Sequence, residues 1–192
     1  MAAPETRGTL KVESRIDVML ALLGAAPRPI HGITRLVKLL YLGQQEARAD
    51  TWLPPSEHYY GYRPYKYGPF SADIYEDVEL LVDSGLLQSR PGGKPLAEEL
   101  AEWREAFADD TLPEPGPESY ESEVPSIFRL TDAGRACAES LLESLPRRDR
   151  DALAKLRDRY DSFSLRDLLV YVYTRYEGMA EKSEIKKDLG LE

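Results

Sequence analysis

The sequence predicts an α+β protein that is mostly α-helical, and two observations support this fold class. Apolar residues recur at helical spacing in most segments between residues 15 and 176. Two short strand-like segments, 86–90 and 126–130, flank a proline-rich acidic stretch. The chain has 192 residues, of which 42% are hydrophobic and 31% are charged, as in ordinary globular proteins. Nothing in these totals suggests a fibrous or a wholly disordered protein.

Two helices are predicted in the first fifty residues. Ser14, with an aspartate three positions later, has the spacing of a capping box, in which side-chain oxygens accept hydrogen bonds from free backbone N–H groups. The first helix then covers about 15–23. A second helix at about 33–48 is expected to bury one apolar face and to expose Arg35 and Lys38 on the other side.

A block rich in tyrosine follows at 59–70 and includes a Gly-Pro pair. Its aromatic residues favour strands. The next segment, 71–84, has apolar residues at helical spacing and predicts a third helix, with Gly85 as the residue that ends it. This helix has no lysine or arginine, and we expect its five carboxylates to face outward. They are Asp73, Glu76, Asp77, Glu79 and Asp83.

The two strand-like segments are expected to pair as a β-wing with an enlarged tip at residues 91–125. This tip contains two basic and ten acidic residues, so it accounts for nearly all of the chain's net charge of −9. Segments rich in proline, glutamate and serine rarely bury enough apolar surface to become ordered. We therefore expect the acidic wing insert to be partly mobile.

A fourth helix is predicted to begin after Thr131, whose hydroxyl is suited to capping it, and to reach about residue 145. We divide the chain at that point into a domain at 1–145 and a C-terminal helical extension at 146–192. The helices predicted in the extension lie at about 149–160, 165–176 and 184–189.

The extension carries both charged and apolar helix faces. Basic and acidic residues alternate in 147–159, which predicts an exposed helix with salt bridges rather than a nucleic-acid-binding arm. The apolar face of 164–176 must pack either against the chain's own core or against another copy of the chain. A homodimer through 164–176 is therefore one of two interpretations.

The sequence contains no pattern typical of an enzyme, and we predict neither a catalytic residue nor a metal or cofactor. Cys137 is the only cysteine, and His31 and His58 lie 27 positions apart, which makes a zinc site a poor interpretation. Glycine-rich phosphate loops and serine nucleophile elbows are absent from the sequence. The apolar run at 18–26 is too short to span a bilayer, so we expect no membrane binding. The single cysteine favours a cytoplasmic protein.

The order of predicted elements, three helices, a two-stranded wing and a helix, is that of a winged-helix domain, and 130–134 resembles the turn that closes many such domains. The sequence Arg-Leu-Val-Lys-Leu-Leu-Tyr-Leu at 35–42, followed by Tyr-Gly-Pro-Phe at 67–70 and by Tyr75, resembles the YwgA-like proteins. More distantly, it resembles the Panacea domain of SocA-like antitoxins. The resemblance covers about residues 30–90. It implies a non-enzymatic prokaryotic module and, in the Panacea group, one that neutralises a toxin or presents a partner to a protease.

Basic residues on either side of the second helix are candidates for a nucleic-acid-binding patch. The candidates are Arg28, His31, Arg35, Lys38, Arg63 and Lys66. Such a patch could bind DNA phosphate or an acidic partner, whereas the alternative is a solvated surface paired with the acidic third helix. In a conventionally docked winged helix, both the third helix and the wing tip would face the duplex. Their negative charge disfavours DNA binding without excluding it.

The leading prediction is a non-enzymatic prokaryotic regulator or adaptor, antitoxin-like in kind, that binds a toxin, a protease or another regulator. Tyrosine suits interfaces because it buries a large ring and keeps a hydroxyl for a hydrogen bond, although the same rings can serve packing. The predicted protein-binding residues are Tyr62, Tyr65, Lys66, Tyr67, Asp73, Glu76 and Asp77. The alternative function is a dimeric winged-helix DNA-binding transcriptional regulator.

Overall fold

A computed structural model describes residues 10–90, 127–187 and 189–191. These residues form an α+β fold that is mostly helical, as the sequence predicts. They contain six α-helices: α1 (Arg15–Gly24), α2 (Ile33–Ala47), α3 (Asp73–Asp83), α4 (Asp132–Ser144), α5 (Arg147–Asp161) and α6 (Leu165–Arg175). The acidic wing insert predicted at 91–125 lies outside the described residues.

The described strands are short and form two sheets. They are β1 (Ile30–His31), β2 (Arg63–Tyr65), β3 (Gly68–Phe70), β4 (Leu87–Arg90) and β5 (Ile127–Leu130). The first sheet has the antiparallel order β1-β5-β4, in which Ile30 lies opposite Phe128 and Leu87 lies opposite Leu130. The second sheet is the hairpin of β2 and β3, which the tyrosine-rich block forms.

Three of the helices begin at the polar residues that the sequence indicated. The hydroxyl of Ser14 accepts a hydrogen bond from the backbone N–H of Asp17, and the carboxylate of Asp17 accepts one from the backbone N–H of Ser14. Thr131 caps α4 through the N–H of Gly134, at 3.0 Å. Ser164 caps α6 in the same manner. These contacts satisfy N–H groups that a helix leaves without internal partners.

The prediction of a helix at 184–189 is wrong, because the described residues of this segment form bends and turns. The N–H of Leu189 donates to the carbonyl of Ile185 at 3.1 Å, which closes one turn, and Gly190 follows with a φ of 74°. Nucleating a helix is costly, so a single turn does not persist as one without further length. The segment is held instead by burial of Ile185 and Leu189.

One hydrophobic core includes residues from both sides of the predicted boundary at 145. α2 lies at its centre and packs on α5 and α6, while α1 packs on α4. The α5 residues Leu153 and Tyr160 and the α6 residues Leu168 and Val172 are fully buried in this core. The apolar face of 164–176 therefore packs against the chain's own core, which is the first of the two interpretations of that face.

Arg157 of α5 joins the C-terminal extension to the first helix. Its side chain is fully buried, whereas the alternating charges of this region had predicted an exposed helix. Nη1 donates to the carbonyl of Leu22 at 2.8 Å near the end of α1, and Nη2 donates to the carbonyl of Arg28 at 2.8 Å. Nε and Nη2 also donate to the two carboxylate oxygens of Asp161, each at 3.0 Å. A cation at this end of α1 is further favoured by the helix dipole.

We expect Arg157→Met to lower the free energy of unfolding by about 3–5 kcal/mol, because the buried Asp161 would keep only the more distant, half-exposed Arg28 as a cation and the carbonyl of Leu22 would lose its donor. The measurement is equilibrium unfolding in urea. Arg147→Met is the matched control, since Arg147 begins the same helix with a side chain that is 87% exposed. The control should change stability by less than about 0.5 kcal/mol. Wild-type stability of Arg157→Met would contradict this role.

Candidate functional site

The basic residues predicted as a nucleic-acid-binding patch are largely engaged within the chain. Arg28 forms ion pairs with Asp158, at 3.2 Å, and with Asp161, at 3.5 Å. Arg35 donates from Nη1 to the carbonyl of Tyr160, at 3.1 Å, and from Nη2 to that of Phe163, at 2.9 Å. These carbonyls lie at and just after the end of α5, so the guanidinium of Arg35 acts as a C-terminal cap of that helix.

The remaining basic residues differ in their exposure. Lys66 is half-buried and pairs with Glu184 at 3.7 Å. Arg63 is exposed, and its guanidinium lies 5.7 Å from the ring centroid of Phe70. His31 is exposed on β1. Lys38, which the sequence placed on the outer side of α2, is buried with 2% of its surface exposed. Four of the six candidates, Arg28, Arg35, Lys38 and Lys66, therefore form hydrogen bonds or ion pairs within the chain.

Lys38 is buried because α2 is apolar on nearly all sides. Its Nζ donates to the carbonyl of Pro69 at 2.9 Å. Burial lowers the pKa of Lys38 to about 7, because removal of water disfavours the ammonium form. The run of apolar residues on both sides of Lys38 in 36–42 was a sequence signal for this burial, since such a helix usually lies inside a protein.

The Gly-Pro turn that accepts this hydrogen bond has a geometry that other residues would not tolerate. Gly68 has a φ of 83°, and a Cβ atom there would lie 2.5 Å from Cε1 of Tyr173. Pro69 follows in β3 and presents its carbonyl to Lys38. The two segments on which the family resemblance rests, the lysine-centred helix and the Gly-Pro turn, are thus in direct contact.

The tyrosine block serves mainly in packing. The ring of Tyr62 meets that of Tyr41 edge-on at 5.0 Å, and its hydroxyl is buried without a hydrogen-bond partner among the described residues. Burial raises the pKa of Tyr62 well above its ordinary value. Tyr65 lies against Phe70 with ring centroids 4.9 Å apart. Tyr65 and Tyr67 are both half-buried.

The turn of the β2–β3 hairpin also contacts Glu184, in the C-terminal part of the described chain. The carbonyl of Lys66 accepts a hydrogen bond from the N–H of Glu184 at 3.0 Å. Ser183 donates to the hydroxyl of Tyr173 at 2.9 Å, which fixes the same segment to α6. The hairpin predicted as a recognition surface is therefore partly occupied by the chain's own residues.

The carboxylates of α3 divide into two sets. Asp77 is 4% exposed and pairs with Arg15 of α1, whose Nε donates to Oδ2 at 2.8 Å and whose Nη2 donates to Oδ1 at 3.2 Å. The hydrogen bond to Asp77 is the main cause of the raised pKa of Arg15. Asp73 pairs with the same guanidinium at 3.2 Å. The expectation that all five carboxylates face outward is wrong for Asp77, because Arg15 draws it inward.

The other set forms the outward face of α3. Glu76, Glu79 and Asp83 are exposed, and Leu80 among them is 52% exposed. Of these residues, the predicted protein-binding set included only Glu76. The helical repeat was the signal for the others, because residues 79, 80 and 83 fall on the side opposite the buried Ile74.

A carboxylate near the end of α2 joins three helices through tyrosine hydroxyls. Glu46 accepts hydrogen bonds from Tyr160 at 2.7 Å, from Tyr171 at 2.7 Å and from Tyr176 at 3.4 Å. Arg159 lies 5.1 Å from the ring centroids of Tyr160 and Tyr171. These contacts join α2, α5 and α6, so the cluster stabilises helix packing.

The described residues contain no group of three or more histidine, cysteine, aspartate or glutamate side chains placed to hold a metal ion. Within the described ranges, no helix combines the length and apolarity needed to cross a bilayer.

Comparison with protein-family models, with curated proteins and with solved structures gave no match to this chain.

We expect the free energy of unfolding to rise with pH between about 7 and 9, and Lys38→Met to remove part of this rise. The folded-state pKa of Lys38 is about 7, below the ordinary lysine value of 10.5, so the unfolded chain binds the extra proton in this range. The contribution of one such group is about 1.4 kcal/mol per pH unit.

The measurement for Lys38 is urea unfolding at several pH values for the wild type, Lys38→Met and Lys155→Met. Lys155 is an exposed lysine of α5, so its replacement should leave the pH dependence unchanged. If Lys38→Met keeps the full wild-type slope, burial of Lys38 does not set the pH dependence.

Proposed function

We propose that this chain is a non-enzymatic prokaryotic regulator or adaptor that acts in the cytoplasm by binding a protein partner. The observation that carries the proposal is the charge on the outward face of α3. Three exposed carboxylates surround Leu80 there, and the sequence from 71 to 84 contains no lysine or arginine. A nucleic-acid backbone would be repelled by this face, whereas a basic protein surface would be attracted.

A winged-helix arrangement is part of the proposal. The sheet order β1-β5-β4 and the position of α2 and α3 before the two wing strands support it. In this arrangement α3 has the place of a recognition helix. An acidic helix at that place favours a role in which a winged-helix scaffold recognises protein instead of DNA.

The resemblance to YwgA-like proteins and the Panacea domain suggests which kind of partner the chain binds. The hydrogen bond between Lys38 and Pro69 unites the two segments that resemble YwgA-like proteins and the Panacea domain, which supports a common structural role for them. The resemblance implies a toxin, a protease or another regulator as the partner. We accordingly place the chain among antitoxin-like or adaptor-like binding modules.

The alternative, a dimeric DNA-binding regulator, has less support. Arg28, Arg35, Lys38 and Lys66 each contact groups of the chain itself. The apolar face of α6 that would form a dimer through 164–176 is buried in the single chain. Among the six candidates, the exposed Arg28, His31 and Arg63 keep the DNA interpretation open.

We expect the double variant Glu76→Lys with Glu79→Lys to lose its partner in affinity capture of the tagged full-length chain from host cells. The yield should fall at least about tenfold, which corresponds to about 1.4 kcal/mol. Glu139→Lys is the matched control, because Glu139 is an exposed carboxylate on α4. Equal loss in both variants, or loss in neither, would contradict a specific role of α3.

We expect no binding to duplex DNA at low salt in a mobility-shift titration of the full-length chain. Phosphate contacts produce affinity that falls steeply as salt is added, so this titration separates the two functions. Tight, salt-sensitive binding that Arg63→Glu abolishes would establish the DNA-binding alternative and reject the proposal.

A further inference from the structure

The outward face of α3 combines an exposed apolar side chain with a rim of carboxylates. Leu80 is 52% exposed, more than the other exposed large hydrophobic residue of the described chain, Leu10, at 45%. Glu76 lies one helical turn before Leu80 and Asp83 one turn after it, and Glu79 adjoins it in the sequence. The four side chains therefore share one side of the helix.

This face is rigid because the opposite side of α3 is fixed. Ile74, Val78 and Leu81 are buried in the core with exposures of 0%, 5% and 2%. Arg15 of α1 binds both Asp73 and Asp77, which prevents rotation of the helix about its axis. A surface that is already ordered loses little conformational freedom when a partner binds.

The charge of the face is not compensated by the described residues. Asp73 and Asp77 have Arg15 as their cation, but no lysine or arginine in the described ranges forms an ion pair with Glu76, Glu79 or Asp83. A docking partner must therefore bring both positive charge and an apolar group.

We propose, on the basis of the proposed function, that this face docks a basic amphipathic segment of the partner protein. An apolar side chain of that segment packs on Leu80, and lysine or arginine side chains on both sides of it meet Glu76, Glu79 and Asp83. The apolar contact excludes water at the centre, and the surrounding charges select the partner and speed its association.

A second copy of the chain does not fit this face as well. A twofold interface centred on this face would place α3 against α3, because the same patch occurs on both sides of such an interface. The carboxylates of Glu76, Glu79 and Asp83 would then meet their own counterparts, and like charges in contact oppose association. The charge of the face thus favours a partner of opposite sign.

Site-specific photo-crosslinking tests the proposal in the full-length chain. The photoreactive residue p-benzoylphenylalanine replaces Ala72, which is exposed one turn before Glu76 and leaves all four face residues in place. Ala136, an exposed alanine of α4, is the matched control position. The crosslinked partner segment is identified by mass spectrometry, so that its chemistry is read directly.

The expected result is a crosslink from position 72, and none from position 136, to a protein segment with net positive charge and at least one large apolar residue. Leu80→Ser should lower the crosslink yield at least about fivefold, and the double variant Glu76→Lys with Glu79→Lys should abolish it. A synthetic peptide of the crosslinked segment should bind the full-length wild type, with affinity that falls as salt is added.

Three results would overturn the docking site: a neutral or acidic crosslinked segment, a yield that is insensitive to Leu80→Ser and to charge reversal, or no crosslink above that of position 136. A parallel series with the photoreactive residue at Tyr65 separates this failure from that of the proposed function. Protein crosslinks from position 65 alone would leave a protein-binding function at a different surface. Absence of protein crosslinks from both positions would count against the function itself.

Discussion

The buried guanidinium of Arg157 is the interaction on which the arrangement of the helices depends. It joins α5 to the end of α1, and Asp161 neutralises it inside the core. Two other arginines make comparable connections: Arg35 binds the carbonyls at the end of α5, and Arg15 joins α1 to α3. Arginine suits these positions because its planar fork can donate to several carbonyl or carboxylate oxygens at once.

Because basic side chains form these contacts within the fold, they affect the charge of the surface. Arg28, Arg35 and Lys38 looked like candidates for phosphate binding, yet each donates to or pairs with groups of the chain. The outward face of α3 keeps its carboxylates because Arg15 reaches only Asp73 and Asp77. The contacts of these basic side chains hold the helices together and leave the outward face of α3 without a basic partner, so this part of the surface remains negative.

Local signals were sufficient to predict most of the helices, whereas contacts between distant residues were not predictable. Ser14 and Ser164 each satisfy N–H groups within three residues, so their roles follow from short-range spacing. Arg157 and Leu22 are 135 positions apart, and alternating charge around Arg157 indicated exposure instead. The prediction that Lys38 is exposed was wrong because only one face of α2 was expected to be buried. In the structure, that helix is buried on nearly all sides. For the candidate site, the acidity of α3 could be predicted from the sequence. The burial of Asp77 could not, because it depends on the ion pair with Arg15, which lies 62 positions away in the chain.

The position of α3 depends on two basic side chains acting from different helices. Arg15 holds its inner side against α1. Lys38 of α2 holds the carbonyl of Pro69, and α3 begins at Asp73, only four residues later. Burial of an ammonium group is unfavourable unless it is hydrogen-bonded, so this contact both satisfies Lys38 and fixes the turn that leads into α3. Lys38, a candidate for nucleic-acid binding in the sequence, thus serves to fix the turn that leads into the acidic helix.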